Sequence, residues 1–341
     1  MSQIKKIVLG SVAGLLVISW TCGVIFYYSA THPFSEDFDS VSVEITPGMT
    51  LNKISTLLKD RKLIGNSLSF RLLAYLQKKQ GQIQVGEYEL SPSMTPKDIL
   101  RVVTSGKTIL HAVTIPEGYR ITEIAALLEE RELANAEEFI RQTQDKELIQ
   151  SAGIPATSLE GYLFPETYHF SKHTSERKII QSMLDAYHDI IKKYDVLKRA
   201  QFVNLSIHEI ITLASLIEKE TGVDEERKLI SSVFHNRLRK NMLLQTDPTV
   251  IYAMTKFDGN IRKKDLDIDS PYNTYKYRGL PPGPIASPGL KSIIAALEPG
   301  DSDYLYFVSR KDGSHQFSSN LMDHNRAVRK YQLRRIARVK Q

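Results

Sequence analysis

The stretch VEITPGMTLNKISTLL, residues 43–58, sets the architecture because it returns seventy positions later as VTIPEGYRITEIAALL, residues 113–128. Val43, Ile45, Gly48, Leu51, Ile54, Leu57 and Leu58 correspond to Val113, Ile115, Gly118, Ile121, Ile124, Leu127 and Leu128. Each copy alternates apolar and polar residues, turns at a glycine, and then spaces its apolar residues three or four apart. That pattern reads as strand, turn and amphipathic helix. Further on, Tyr88, Leu90, Ser91, Ile99 and Leu100 match Tyr168, Phe170, Ser171, Ile179 and Ile180 at an offset of eighty. The second copy is therefore the first with about ten residues inserted. Helical stretches over 66–78 and 136–150 lie between the matched parts, giving strand, helix, helix, strand, helix twice. Two copies are too few for a solenoid, so paired or intertwined small α+β modules are expected.

Ahead of the repeat, residues 7–28 carry no formal charge and include Leu9, Leu15, Leu16, Ile18, Trp20 and Ile25. At roughly 1.5 Å per residue this run reaches across a hydrocarbon core of about 30 Å. Phe26, Tyr27 and Tyr28 suit an interfacial belt, and Lys5 and Lys6 before the run favour a cytoplasmic N-terminus. A retained anchor is expected in preference to a cleaved signal peptide, whose apolar core usually spans only about 7 to 15 residues.

The 341 residues are 42% hydrophobic and 25% charged, an ordinary globular balance that excludes a disordered or multi-span chain. Seven Lys and Arg and no acid stand in the last sixteen residues, and Lys5 and Lys6 are the only charges before residue 31. The net charge of +6 therefore leaves residues 31–325 at −3. Such a body lacks the broad cationic face that nucleic-acid binding requires. The single Cys22 allows neither an internal disulfide nor a cysteine metal site. There is no HExxH helix, no GxxxxGK[ST] loop and no GxSxG elbow.

Candidate chemistry lies beyond residue 205. HEIITLASLIEKETG, residues 208–222, is helical by spacing and is stopped by Gly222. Advancing about 100° per residue puts Ile211, Leu213, Ala214, Leu216 and Ile217 on a wide apolar arc, with Thr212, Ser215 and Lys219 opposite. Glu218 and Glu220 both fall within the arc. A carboxyl group at the rim of an apolar core is a candidate for a raised pKa, and so for a general acid near neutral pH. A second helix begins at Asp224. The chain then turns through Gln245, Thr246, Asp247 and Pro248, where Asp247 suits a helix cap as well as it suits catalysis. Tyr272, Asn273, Thr274 and Tyr275 combine flat apolar faces with amide and hydroxyl groups, as needed to stack on a pyranose ring and bond its hydroxyls. Asp312-Gly313 signals a hairpin between a strand holding Tyr306 and a segment holding His315 and Phe317. With Asn325, these three complete the substrate-binding candidates from this end of the chain.

The blocks LEGYLFPETY (159–168), ASLIEKETG (214–222), HNRL with LQTDPTVIY (235–252), YNTY with GLPPGPIASPG (272–289) and YLYFV with HQFSSNLMDHN (304–325) resemble the endolytic murein transglycosylases of the YceG-like family. The resemblance implies cleavage within nascent peptidoglycan strands at the β-1,4 bond from N-acetylmuramic acid to N-acetylglucosamine, leaving 1,6-anhydromuramoyl ends. It assigns the catalytic role to the first Glu of the EKET block, here Glu218. Asn236, Gln245, Tyr272, Asn273 and Tyr275 are then the candidates that orient the muramoyl unit, with Asp247 beside them. No cofactor or metal is expected. The first repeat, continued by VGEYELSPSM (85–94), is similar to a LysM-like module, which binds glycans containing N-acetylglucosamine.

The expected organisation is α+β: a cytoplasmic start (1–6), a transmembrane helix (7–28), a linker (29–40), a LysM-like module (41–107), a related second module (108–200), a catalytic domain (201–330) and a basic tail (331–341). The expected location is the bacterial inner membrane with the catalytic domain in the periplasm. The partners expected are peptidoglycan strands, membrane lipid around one helix and peptidoglycan synthases, without nucleic acid. Two alternatives stay open. One is a hydrolytic muramidase with Asp247 or Glu220 as base; the other is a tethered glycan-binding scaffold without catalysis.

Overall fold

The computed structural model describes residues 3–333, with side chains from Val8 onward. Lys5 and Lys6 as membrane flanks, and Arg334, Arg335, Arg338 and Lys340 of the basic tail, lie outside the described side chains. The chain divides into two compact units, one of residues 1–111 with 169–173 and one of residues 112–168 with 174–341.

The first unit opens with α1 (Gln3–Thr31), of which Val8–Thr31 is long and apolar enough to cross a membrane. Its side chains are almost all exposed up to Tyr28, whereas Phe26 and Ala30 pack on the unit's core. After it come β1 (Val41–Ile45), α2 (Leu51–Asp60), α3 (Ser67–Leu76), β2 (Gly86–Leu90) and α4 (Pro96–Ser105). β1 and β2 pair antiparallel with Val43 opposite Tyr88, so Val43, Ile45, Tyr88 and Leu90 share the buried face. They meet Leu58, Phe70, Ile99 and Leu100 from the three helices. Local chemistry marks the helix ends: the Thr95 hydroxyl caps α4, Pro96 stands at its first turn, and Gly106 closes it with a left-handed φ of +73°.

The same element order with one more helix follows over residues 111–193: β3 (His111–Thr114), α5 (Ile121–Glu130), α6 (Ala136–Gln142), α7 (Lys146–Ser151), β4 (Thr167–Phe170) and α8 (Glu176–Lys193). β3 and β4 form a two-stranded sheet. The expected helix over 136–150 is broken in two, because Asp145 takes an extended backbone and its carboxylate caps Leu148 N at 2.8 Å.

The second unit continues with α9 (Val196–Phe202), α10 (Ile207–Glu220), α11 (Asp224–Arg239), α12 (Asp247–Ala253), α13 (Leu290–Leu297), β5 (Tyr306–Ser309), β6 (His315–Ser318) and α14 (Leu321–Val328). A short 3-10 turn spans Lys263–Asp267, and a π turn ends the described chain at Arg329–Leu333. α10 is the central helix. Its start is held by a reciprocal capping box of Ser206 and Glu209, and Ile210–Ile217 are all buried. That burial includes Thr212 and Ser215, which the helical arc placed on the polar side. The Thr212 hydroxyl donates to His208 O at 2.7 Å, and Ser215 Oγ donates to Thr212 O at 2.7 Å while accepting Ile285 N at 3.1 Å. With their hydroxyls bonded to backbone, both residues enter the core without an orphaned polar group. The β5–β6 hairpin pairs Ser309 with His315 and turns at Gly313, φ +91°.

Candidate active site

Two carboxylates leave the last turn of α10 about 200° apart, as the helical advance requires. Glu218 Oε1 lies 3.3 Å from Arg227 Nη2, and its Oε2 accepts Gly289 N at 3.0 Å. Only 7% of either side chain in this ion pair is exposed. Arg227 also pairs with Asp224 and donates from Nε to Ser292 Oγ at 3.2 Å. Gly289 caps α13, so Glu218 ties α10 to α11 and to the N-terminal end of α13, where the helix dipole favours an anion. The 117–119 turn lies over this pair: Gly118 N donates to Ser287 O at 2.8 Å, and Lys219 Nζ donates to Gly118 O at 3.2 Å. Partial burial and then the charge of Glu218 push the Glu117 carboxyl above the ordinary carboxylate range.

Glu220 faces a cavity of about 530 Å³. Thr246 Oγ1 donates to Glu220 Oε1, yet burial pushes this carboxyl up to about 7; Asp247 adds to the rise, while the Thr246 bond and Arg237 oppose it. The wall beside it is built by Gln245, Asp247 and Tyr275, and the Tyr275 hydroxyl donates to Asp247 Oδ1 at 2.5 Å. Gln245 has a left-handed φ of +49°, uncommon for a residue with a side chain, and its N–H bonds Thr274 O at 3.1 Å. Arg237 is buried at the cavity's edge, with Nε donating to Leu305 O at 2.7 Å, and Nη1 to Leu243 O at 3.1 Å and Leu244 O at 2.8 Å. Its guanidinium lies 5.1 Å from the Tyr306 ring centroid. Tyr306, His315, His324 and Asn325 also line the cavity. The His324 ring stacks on Tyr306 at 5.0 Å, and burial, with Arg237 nearby, lowers its pKa.

Six of the expected site residues thus meet in one place: Gln245, Asp247, Tyr275, Tyr306, His315 and Asn325 line the cavity. The other six do not line it. Glu218 is engaged with Arg227. Asn273 is fully buried and spends its amide on Leu266 O at 2.9 Å and Ile268 O at 2.8 Å. Thr274, 1% exposed, bonds Thr246 N at 3.1 Å and Thr249 Oγ1 at 2.9 Å; it shapes the cavity from behind. Asn236 donates to Ser302 O and Tyr304 O, both at 2.9 Å. Tyr272 packs against Tyr252, ring centroids 4.7 Å apart, and Phe317 stacks on Tyr304 at 5.6 Å. Sequence reasoning missed Arg237 and His324. Both stand in blocks already singled out, within HNRL and one position before Asn325, but neither carries a periodic signal of its own. Among the described residues no three His, Cys, Asp or Glu side chains gather as metal ligands would.

Comparison with known proteins identifies the family. Residues 43–330 match the YceG-like family. A Bacillus subtilis protein named endolytic murein transglycosylase is 37% identical over 328 residues, covering 91% of this chain and 90% of that protein. A Streptococcus pneumoniae protein of the same name is 35% identical over 320 residues, which cover 84% of this chain and 58% of the longer relative. The crystal structure of a YceG-like protein from Listeria monocytogenes superposes with a TM-score of 0.59 at 38% identity, covering 84% of this chain and 98% of that one. On these matches the chain belongs to the YceG-like family.

Proposed function

We propose that this protein is an endolytic murein transglycosylase, with Glu220 as its proton donor. The observation that carries the reading is the Glu220 carboxyl, raised to about 7 on the wall of a cavity shared with Asp247, Tyr275, Tyr306 and Asn325. A general acid works best with a pKa near the operating pH, and this carboxyl has that property. As the neutral acid, Glu220 gives its proton to the glycosidic oxygen while the C1–O bond of the muramoyl unit breaks. The C6 hydroxyl oxygen of the same unit then bonds C1, and the Glu220 carboxylate takes the hydroxyl proton and returns to its starting form. The attacking group is already part of the substrate, so geometry replaces the second carboxylate that a hydrolase needs. Asp247 supplies negative charge near the developing oxocarbenium ion.

Glu218 is the residue that family resemblance names for this role. Acting as a proton donor requires its neutral form, which forfeits the Arg227 ion pair; in this reading Glu218 secures the helix that carries Glu220. Anchoring through α1, an N-terminus in the cytoplasm, a body beyond the membrane, glycan binding by a LysM-like module over 41–107 and synthases as neighbours belong to the same proposal. The length and apolarity of α1 support the anchor, and the names of the relatives support a peptidoglycan substrate.

The test is mass spectrometry of isolated peptidoglycan digested by the purified full-length protein. New 1,6-anhydromuramoyl ends, absent with Glu220→Gln, are expected. Reducing muramic acid ends would indicate a muramidase, and no new ends a binding scaffold. Cleavage retained by Glu220→Gln but lost in a folded Glu218→Gln protein would move the acid to position 218.

A further inference from the structure

The first turn of α11 and the start of β6 are joined by one side chain whose arrangement bears on the reaction. Glu226 Oε1 accepts the backbone N–H of His315 at 2.8 Å, and Glu226 Oε2 lies 2.7 Å from His315 Nδ1. The two side chains are 13% and 11% exposed, which protects the contact from solvent. A carboxylate has no proton to offer, so the hydrogen of the second bond belongs to Nδ1. In the neutral ring Nε2 is then a bare acceptor. Phe307 meets the imidazole edge to face at 5.5 Å, and Phe317 closes another side at 6.4 Å, so neighbours as well as the bond restrain the ring. His315 borders the Glu220 cavity, and among the described residues its Nε2 makes no hydrogen bond.

Several polar groups around that cavity are already committed. Asp247 holds the Tyr275 hydroxyl, Glu220 holds Thr246, and Arg237 spends Nε and Nη1 on carbonyls. We infer that Glu226 is a positioning residue: it locks His315 in the Nδ1–H tautomer so that Nε2 accepts a hydrogen bond from a hydroxyl of the sugar lying beside Glu220. The inference rests on the reading of this cavity as the active site. Glu226 touches no substrate and acts only through the ring, as outer partners of ligating histidines do.

The test is a double-mutant cycle on the full-length protein in detergent, reading kcat/KM for release of anhydro ends, with 15N NMR of labelled histidine alongside. His315→Gln and Glu226→Gln are each expected to lower kcat/KM at least tenfold, and the double variant to fall no further than about twofold below His315→Gln alone. In the wild type the His315 ring is expected to show a protonated Nδ1 and a bare Nε2, and in Glu226→Gln a mixture of tautomers. Multiplying losses in the double variant, or an Nε2–H tautomer in the wild type, would overturn the proposal. The wild-type spectrum decides even if Glu226→Gln does not fold. Glu220→Gln run in parallel separates the two levels: cleavage retained there sinks the reading of the cavity, whereas its loss alongside unaffected Glu226 and His315 variants sinks only the dyad.

Discussion

Glu218 and Glu220 stand two residues apart on α10 and serve different neighbours: Glu218 is bound by Arg227 and Gly289 N, and Glu220 by the Thr246 hydroxyl. Exchanging each for Gln therefore has different consequences. Glu220→Gln keeps an acceptor for Thr246 and loses the transferable proton, so cleavage falls by at least about a thousandfold with the melting temperature unchanged or raised. Glu218→Gln leaves Arg227 without one of its two carboxylate partners in a site with little solvent. It costs about 2 to 4 kcal/mol of stability, less than a full buried-pair loss only because Asp224 remains. Digests and thermal melts of the two proteins check both halves.

The acidity of Glu220 can be moved in either direction without touching it. Asp247 raises its pKa by charge repulsion, and the Thr246 hydrogen bond lowers it. The alkaline limb of kcat/KM, expected at about 7 in the wild type, shifts to lower pH in Asp247→Asn and to higher pH in Thr246→Val. Limbs that do not move, or that move together, would remove Glu220 from the titration.

Much of this was legible in the chain. The seventy-residue echo of Val43–Leu58 announced the repeated element order, because alternation and helical spacing are local properties. The Asp312-Gly313 hairpin was legible for the same reason, and α10 ends within two residues of the stop read at Gly222, with Thr221 in extended backbone as its cap. The different partners of Glu218 and Glu220 were not legible. Both lie on the apolar arc of α10, and what separates them is Arg227 from α11 and Thr246 before α12, contacts that no spacing within 208–222 encodes. Likewise Asn273 has the chemistry of a sugar ligand, but its amide is used by Leu266 and Ile268 O, so residue type alone misplaces it.

Glu160 offers a test of the electrostatics away from the proposed chemistry. Burial raises its carboxyl to about 7, although Ile121 N donates to it at 3.1 Å and Arg120 is near. A folded-state pKa above the unfolded 4.5 means that the native state binds the proton more tightly, so this group's favourable contribution is whole below pH 4.5 and is lost as pH rises through about 7. Glu160→Gln, which retains an acceptor for Ile121 N, should match the wild type at pH 4 and exceed it at pH 8 by up to about 3 kcal/mol. Denaturant melts at the two pH values measure the difference; a gain of equal size at both would point to packing instead of charge.

Gly161 lies in the LEGYLFPETY block one residue after Glu160, with φ +82°, and a Cβ built on it would collide with Pro284 Cβ and lie 2.7 Å from Pro284 Cγ. Two costs combine there. A left-handed backbone disfavours any side chain by about 1 kcal/mol, and the proline ring of the GLPPGPI segment cannot rotate away as a flexible side chain would. Gly153 separates them, since it has φ +66° and nothing within 4 Å of the added Cβ. Gly153→Ala should cost about 1 kcal/mol and Gly161→Ala at least about 3. The larger loss should also depress cleavage, because Pro284 is followed by Ile285, whose N–H is bonded to Ser215 in α10, the helix that carries Glu220. Equal melting shifts in the two variants would mean that the 161–284 contact yields, and that the turn does not help to hold α10 in place.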